Sequence, residues 1–185
     1  MINKLQFLFV FLPGLITSFH YPQISLASGF IANADTQMVY KASSVLSTGI
    51  PAGRGENNER IIAVKVITEG NLNPVTLDKI KFNLTGSTNL DDFDSVKIWF
   101  TAGDPKLITN VLFGTTVVGP GTIEIAGNQL LAEGSNHFWV TGDLVPDAIE
   151  GDSIKGGIES VTIDGIEYLV TPGMTNYVCS LPIAA

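Results

Sequence analysis

The sequence contains very little of what most catalytic and metal sites are built from. It has one cysteine, Cys179, and two histidines, His20 and His137. A single cysteine excludes an intramolecular disulfide, so the fold must be stabilised by its core. One cysteine and so few histidines also argue against a structural zinc site. We therefore expect no cofactor, and the alternative is calcium at one aspartate cluster.

Basic residues are also scarce. The chain has 10 lysines and arginines against 18 aspartates and glutamates, and its formal net charge is −8. A nucleic-acid partner requires a basic patch that neutralises phosphates. Because residues for such a patch are scarce here, we predict no nucleic-acid partner. An acidic surface mainly keeps a protein soluble and away from anionic membranes.

A long apolar run begins the chain. Residues 5–19 are largely apolar, follow Lys4, and precede the small residues of the Ser-Leu-Ala segment at 25–27. This order is typical of a signal peptide, and we predict one at residues 1–27. The alternative is a membrane anchor, but a spanning helix needs about 20 apolar residues, and Pro13 and Pro22 interrupt this one.

Cleavage after Ala27 would leave residues 28–185, which is enough chain for one well-buried domain. We therefore expect a single domain that is secreted, periplasmic or exposed at the cell surface. After cleavage we expect no stable membrane insertion.

The rest of the chain reads as short β segments without a convincing amphipathic helix. In residues 75–85, Ile80, Phe82 and Leu84 alternate with polar residues, which is typical of a half-buried antiparallel strand. Further on, TIEIAG leads to Gly127 and Asn128, a pair that predicts a turn before the strand-like HFWVTGDL. About nine such strands at near-regular spacing predict an all-β fold, an antiparallel β-sandwich.

Two tryptophans lie in similar settings, KIWFT around Trp99 and HFWVT around Trp139. Period-two alternation places both on the less apolar face of their strands, with Lys97 beside Trp99 and His137 beside Trp139. Exposed tryptophans beside polar groups would suit glycan stacking or contact with a neighbouring domain. The interpretation that we favour is that both rings pack beneath loops or at the rim of the sandwich, and binding is the alternative.

Asp91, Asp92 and Asp94 form a tight carboxylate cluster before a strand. Several oxygen ligands at such spacing would suit a hard cation such as calcium. The segment lacks the glycine and later glutamate of an EF-hand loop, so we favour a solvated turn in which one aspartate caps a short helical turn, with calcium as the alternative.

Several stretches resemble a known family. The run KVITEGNLNPVTLDKIKFNLTGSTNLDDFDSVKIWFTAG and the later LLAEGSNHFWVTGDL are similar to the N-terminal accessory domain of bacterial sialidases with BNR (Asp-box) repeats. The resemblance covers roughly residues 36–181. It implies an immunoglobulin-like β-sandwich in an exported bacterial protein, with glycans or a neighbouring catalytic domain as partners.

The catalytic part of that family is not expected here. Sialidase chemistry, as the resemblance implies it, needs three arginines around the substrate carboxylate, and this sequence has Arg54 and Arg60 alone. The chain also lacks any S-x-D-x-G-x-T-W repeat. We therefore expect a non-catalytic accessory domain that acts as a spacer or interaction module. The alternatives are a carbohydrate-binding module, a fragment of a longer sialidase, or an enzyme that uses an undetected carboxylate pair.

Overall fold

The computed structural model describes residues 35–47, 52–170 and 179–180. Within these residues the secondary structure is entirely β, without a helix, so the predicted all-β class is confirmed. The strands are β1 (Val39–Ser47), β2 (Glu59–Glu69), β3 (Thr76–Asn83), β4 (Phe93–Phe100), β5 (Val111–Thr116), β6 (Thr122–Leu130), β7 (Gly134–Leu144), β8 (Ser153–Ile154), β9 (Gly157–Ile163), β10 (Ile166–Leu169) and β11 (Cys179–Ser180).

Two antiparallel sheets form the predicted sandwich. The first sheet has the order β1-β2-β7-β4-β5, and the second has the order β10-β9-β3-β6. β8 and β11 form a separate two-stranded pair. Strands β1-β2-β7-β4 take the places A-B-E-D of an immunoglobulin sandwich, and β10-β9-β3 take the places G-F-C. β5 and β6 extend the two sheets on the same side of the molecule.

The core lies between the sheets because one side chain in two points inward along the strands. In β3 the alternation predicted from the sequence holds, with Ile80 and Phe82 fully buried. The central strands of the first sheet supply further fully buried side chains, among them Ile62, Val64, Val96, Ile98, Phe138 and Val140. Phe138 packs against the rings of Phe100 and Phe113, with centroids 4.9 and 5.5 Å away.

The turn predicted at Gly127 and Asn128 was wrong. Both residues lie inside β6, and a register shift opposite Asp78 accommodates them as a bulge. Glycine is needed at position 127 because of close packing and not because of a turn. A Cβ there would lie 2.5 Å from the ring of Phe113. Gly114 of β5 likewise meets Ile125 and Ala126 of β6, so two glycines let β5 and β6 approach and close one side of the sandwich. The turn before β7 is formed by residues 131–133.

Two loops fold back over the outer face of the first sheet, the face turned away from the core. One is the loop of residues 52–58 before β2, and the other is the loop of residues 101–110 between β4 and β5. Together they decide what the candidate site looks like.

The signal peptide predicted at residues 1–27 lies outside the described residues. None of the residues that are described belongs to a helix that could cross a membrane.

Candidate functional site

The outer face of the first sheet brings four of the predicted residues together. Trp99 of β4 is the register partner of Trp139 of β7, and Lys97 of β4 is the partner of Thr141. His137 lies two residues before Trp139 on the same face. The period-two argument assigned each residue to the less apolar face of its own strand, and the pairing of β4 with β7 brings them onto one surface. We call this surface the tryptophan face: Lys97, Trp99, His137, Trp139, Thr141 and Asp143.

Trp139 is buried on this face and not exposed. It is 4% exposed, and its indole Nε1–H donates to the carbonyl of Pro105 at 3.2 Å. His137 is 5% exposed, with Nδ1 3.0 Å from the carbonyl of Ala102. The β4–β5 loop reaches these positions because Ala102 adopts a left-handed conformation, with φ of 50°. Both side chains thus lie beneath the loop, which is the second arrangement that the sequence allowed.

Trp99 is half-buried and is also hydrogen-bonded within the domain. Its Nε1–H lies 3.0 Å from Oδ1 of Asn58 and 3.1 Å from Oγ1 of Thr141. Asn58 reaches the ring from the 52–58 loop and is itself left-handed, with φ of 60°. The indole is therefore held at its polar edge, and its neighbour across the strand pair is Leu112, which is 48% exposed.

Lys97 is paired with Asp143, and this pair anchors the 52–58 loop. The Lys97 ammonium contacts one carboxylate oxygen of Asp143, and the same oxygen accepts from Oγ of Ser95 at 2.9 Å. The other oxygen accepts from the backbone N–H of Asn58 at 2.9 Å. Burial raises the pKa of Asp143, but the hydrogen bonds from Lys97, Asn58 and Ser95 outweigh it and hold the pKa below its ordinary value.

The three clustered aspartates do not converge on one point. Asp91 and Asp94 are exposed, whereas Asp92 is 2% exposed and points into the structure. No group of three or more metal-ligating side chains that could hold an ion is found in the part of the chain that is described. The expected short helical turn is absent from this segment, which instead makes a tight turn with the N–H of Phe93 bonded to the carbonyl of Leu90.

Sequence reasoning missed the residues that complete these arrangements. Asn58 and Pro105 lie in loops, where no periodicity indicates which side chain or carbonyl will meet a distant strand. Asp152 lies close to Asp92 although 60 positions separate them in the chain, and nothing in the sequence pairs the two.

A shallow surface pocket of about 190 Å³ lies apart from the tryptophan face. It is lined by residues 84–87, Leu90 and residues 119–121. None of these side chains is ionisable, so the pocket offers no acid or base and none of the predicted site residues.

The fold is similar to that of part of a solved sialidase structure. Among solved structures, the chain is similar to one described as Hadza microbial sialidase Hz136, with a TM-score of 0.61 and 12% sequence identity. The match covers 75% of this chain and 31% of that chain, so this chain corresponds to less than half of that protein's length. Comparison with protein-family models gives no match, and comparison with curated protein sequences gives none either. At this identity the likeness concerns the fold alone.

Proposed function

We propose that this chain is a non-catalytic β-sandwich module of an exported sialidase-type protein, and that it serves as a spacer or a domain-interaction module. The proposal starts from the segments of the sequence that resemble the accessory domain of bacterial sialidases. The structural likeness to part of a sialidase supports it at the level of fold.

The observation that carries the proposal is the pairing of polar groups on the tryptophan face. A glycan site needs free donors and acceptors around an exposed aromatic ring. Here the indole N–H of Trp99 and that of Trp139 each donate within the domain, and the ring nitrogen Nδ1 of His137 lies against a carbonyl. The Lys97 ammonium forms an ion pair with the carboxylate of Asp143. These groups hold loops onto a sheet, which is a structural task.

Carbohydrate binding is the second candidate, because one ring remains partly open. Trp99 is half-buried, and the exposed Leu112 lies beside it. A sugar could stack on that exposed edge without breaking the bonds of the indole N–H. The same exposed apolar surface would equally suit a neighbouring protein domain, which needs fewer free polar groups.

A fluorescence titration separates these two candidates. The protein is titrated with sialylated and neutral glycans while tryptophan emission is followed. The glycan concentration is raised to about millimolar, so that binding with a standard free energy of about −4 kcal/mol or stronger is detected. We expect no saturable change. A Trp99→Phe variant removes the half-open ring, and Trp139→Phe is the matched control at a buried ring.

Quenching that saturates in the wild type and in Trp139→Phe, but not in Trp99→Phe, would establish a glycan-binding module and overturn the spacer proposal. The non-catalytic part is tested separately with a fluorogenic sialoside. Turnover above that of the heat-denatured protein would contradict it.

A further inference from the structure

Asp92 presents one carboxylate oxygen that the described structure leaves without a hydrogen-bond partner. Its Oδ1 accepts from Nδ2 of Asn89 at 3.1 Å and from the N–H of Ile149 at 3.0 Å. Its Oδ2 is buried and accepts nothing. An ionised oxygen in this condition is costly, because it has lost its water and gained no donor.

The group next to Asp92 is a second carboxyl group, that of Asp152. Asp92 lies in the β3–β4 loop, residues 84–92, and Asp152 in the β7–β8 loop, residues 145–152. A backbone bond joins the two loops, since the N–H of Val145 donates to the carbonyl of Asp92 at 3.0 Å. The N–H of Thr88 donates to the carbonyl of Ser153, the first residue of β8, also at 3.0 Å. The carboxyl pair therefore sits at a junction between segments far apart in sequence.

Burial raises the pKa of Asp92, and the adjacent Asp152 raises it further, while the bonds from Ile149 and Asn89 oppose the rise. Other ionisable side chains are carried by the two loops and by the segments packed on them, but none of those in the described chain is hydrogen-bonded to Asp92: Arg54, Glu56, Asp91, Asp147, Glu150 and Lys155. Among the residues that the structure describes, Asp152 is thus the one charged group that bears directly on Asp92.

We propose that Asp92 and Asp152 share one proton, and that this carboxyl–carboxylate pair is a pH-dependent clasp between the β3–β4 and β7–β8 loops. The proton lies on Oδ2 of Asp92 and is donated to the Asp152 carboxylate. The unpartnered oxygen thereby becomes a donor, and only one negative charge remains at the junction. A calcium ion would need six to eight oxygen ligands, whereas a proton needs one donor and one acceptor.

The direction of the pH effect follows from the raised pKa. In the folded protein Asp92 holds its proton at a pH where the unfolded chain has already lost it. The clasp is therefore closed at low pH and weakens as the pH rises through the folded pKa of Asp92, when two carboxylates face each other. The opening equilibrium of the junction should rise by up to tenfold for each pH unit in that window.

Hydrogen exchange of the Ile149 and Asp152 amides, corrected for the intrinsic effect of pH, measures this opening from about pH 4 to about pH 8. We expect protection to fall with rising pH in the wild type. Asp92→Asn keeps Oδ1 as acceptor and places a permanent donor toward Asp152, so its protection should stay level. Asp91→Asn, at the adjacent exposed carboxylate, is the matched control and should behave as the wild type.

A carbon-13 titration of the carboxyl groups in the wild type gives a readout that needs no variant. The Asp92 carboxyl carbon should titrate above the ordinary aspartate value of about 3.9, and Asp152→Asn should lower its midpoint. An Asp92 midpoint at or below about 3.9 would overturn the proposal. So would equal pH profiles for wild type and Asp92→Asn. Recovery of protection at high pH on adding millimolar calcium, in the wild type but not in Asp92→Asn, would make the pair a cation site instead.

Discussion

Replacing Asp143 with alanine should loosen the 52–58 loop and destabilise the whole sandwich. The side chain of Asp143 is 9% exposed and accepts three hydrogen bonds, from Lys97, Ser95 and the backbone of Asn58. Alanine removes all three at once. It leaves the Lys97 ammonium on the sheet without its counter-charge and the Asn58 N–H without its acceptor.

The loss in free energy of unfolding depends on how far water can reach the Lys97 ammonium once Asp143 is removed. Removing one partner of a buried ion pair costs about 3–5 kcal/mol, because the other charge stays buried. The Lys97 side chain is 25% exposed, so part of its charge can recover water and the cost is reduced. We expect Asp143→Ala to lower the free energy of unfolding by about 2–4 kcal/mol. Asp143→Asn should lose less, since its Oδ1 can still accept from Asn58.

The same carboxylate makes a signed contribution to acid stability. Its folded pKa is held below the unfolded value, so its stabilisation is present above the unfolded pKa, near about 3.9, and is lost as the pH falls through the folded pKa. The wild type should therefore lose more of its unfolding free energy on acidification than Asp143→Asn does. Asp92 works in the opposite direction, because its folded pKa is raised.

Urea denaturation followed by tryptophan fluorescence measures these differences, because Trp99 lies beside Asn58 and Thr141. Glu69→Gln is the control, since the Lys41–Glu69 pair is 51% and 65% exposed at its two side chains and should contribute nothing measurable. The reasoning would be refuted if Asp143→Ala lost no more stability than Glu69→Gln.

Two further predictions concern the packing of the sandwich. Gly114→Ala should cost about 1–3 kcal/mol, because its Cβ would meet Ile125 and lie 2.9 Å from the carbonyl of Ala126; Gly119→Ala has open space around it and should stay within about 0.5 kcal/mol in the same urea series. Phe138→Ala should cost about 3–5 kcal/mol, since the ring is fully buried against Phe100 and Phe113. A loss below about 1 kcal/mol in calorimetry would mean that this part of the core collapses around the cavity.

The strand positions followed from the sequence wherever one side chain in two had to be apolar. Apolar and polar residues alternate in β3 from Lys79 onward and in β7 from His137 onward, and the inward and outward faces of these segments were assigned correctly. The Gly127–Asn128 pair led to a wrong prediction of a turn. Glycine is needed at position 127 for close contact with Phe113, and the sequence does not distinguish this role of glycine from its role in a turn. Which use applies depends on a ring from another strand.

The side of each strand on which its tryptophan lies could be predicted from the sequence, but the exposure of the ring could not. Alternation gives the side of a sheet on which Trp99 and Trp139 lie. Whether a ring on that side is exposed to solvent depends on the loops that fold over it. Here Pro105 and Asn58, each in an irregular segment, bond the two indole N–H groups.

By itself the sequence determined an acidic β-sandwich without an intramolecular disulfide, and it determined on which side of its own strand each of the four candidate residues lies. These properties depend on composition and on the period of two in a strand, both of which are local. Only the tertiary structure decided that Trp139 and His137 lie under a loop, that Lys97 is paired with Asp143, and that Asp92 meets Asp152. Those contacts join segments brought together by loop closure, and the physical reason is that no local pattern records which distant groups a loop will meet.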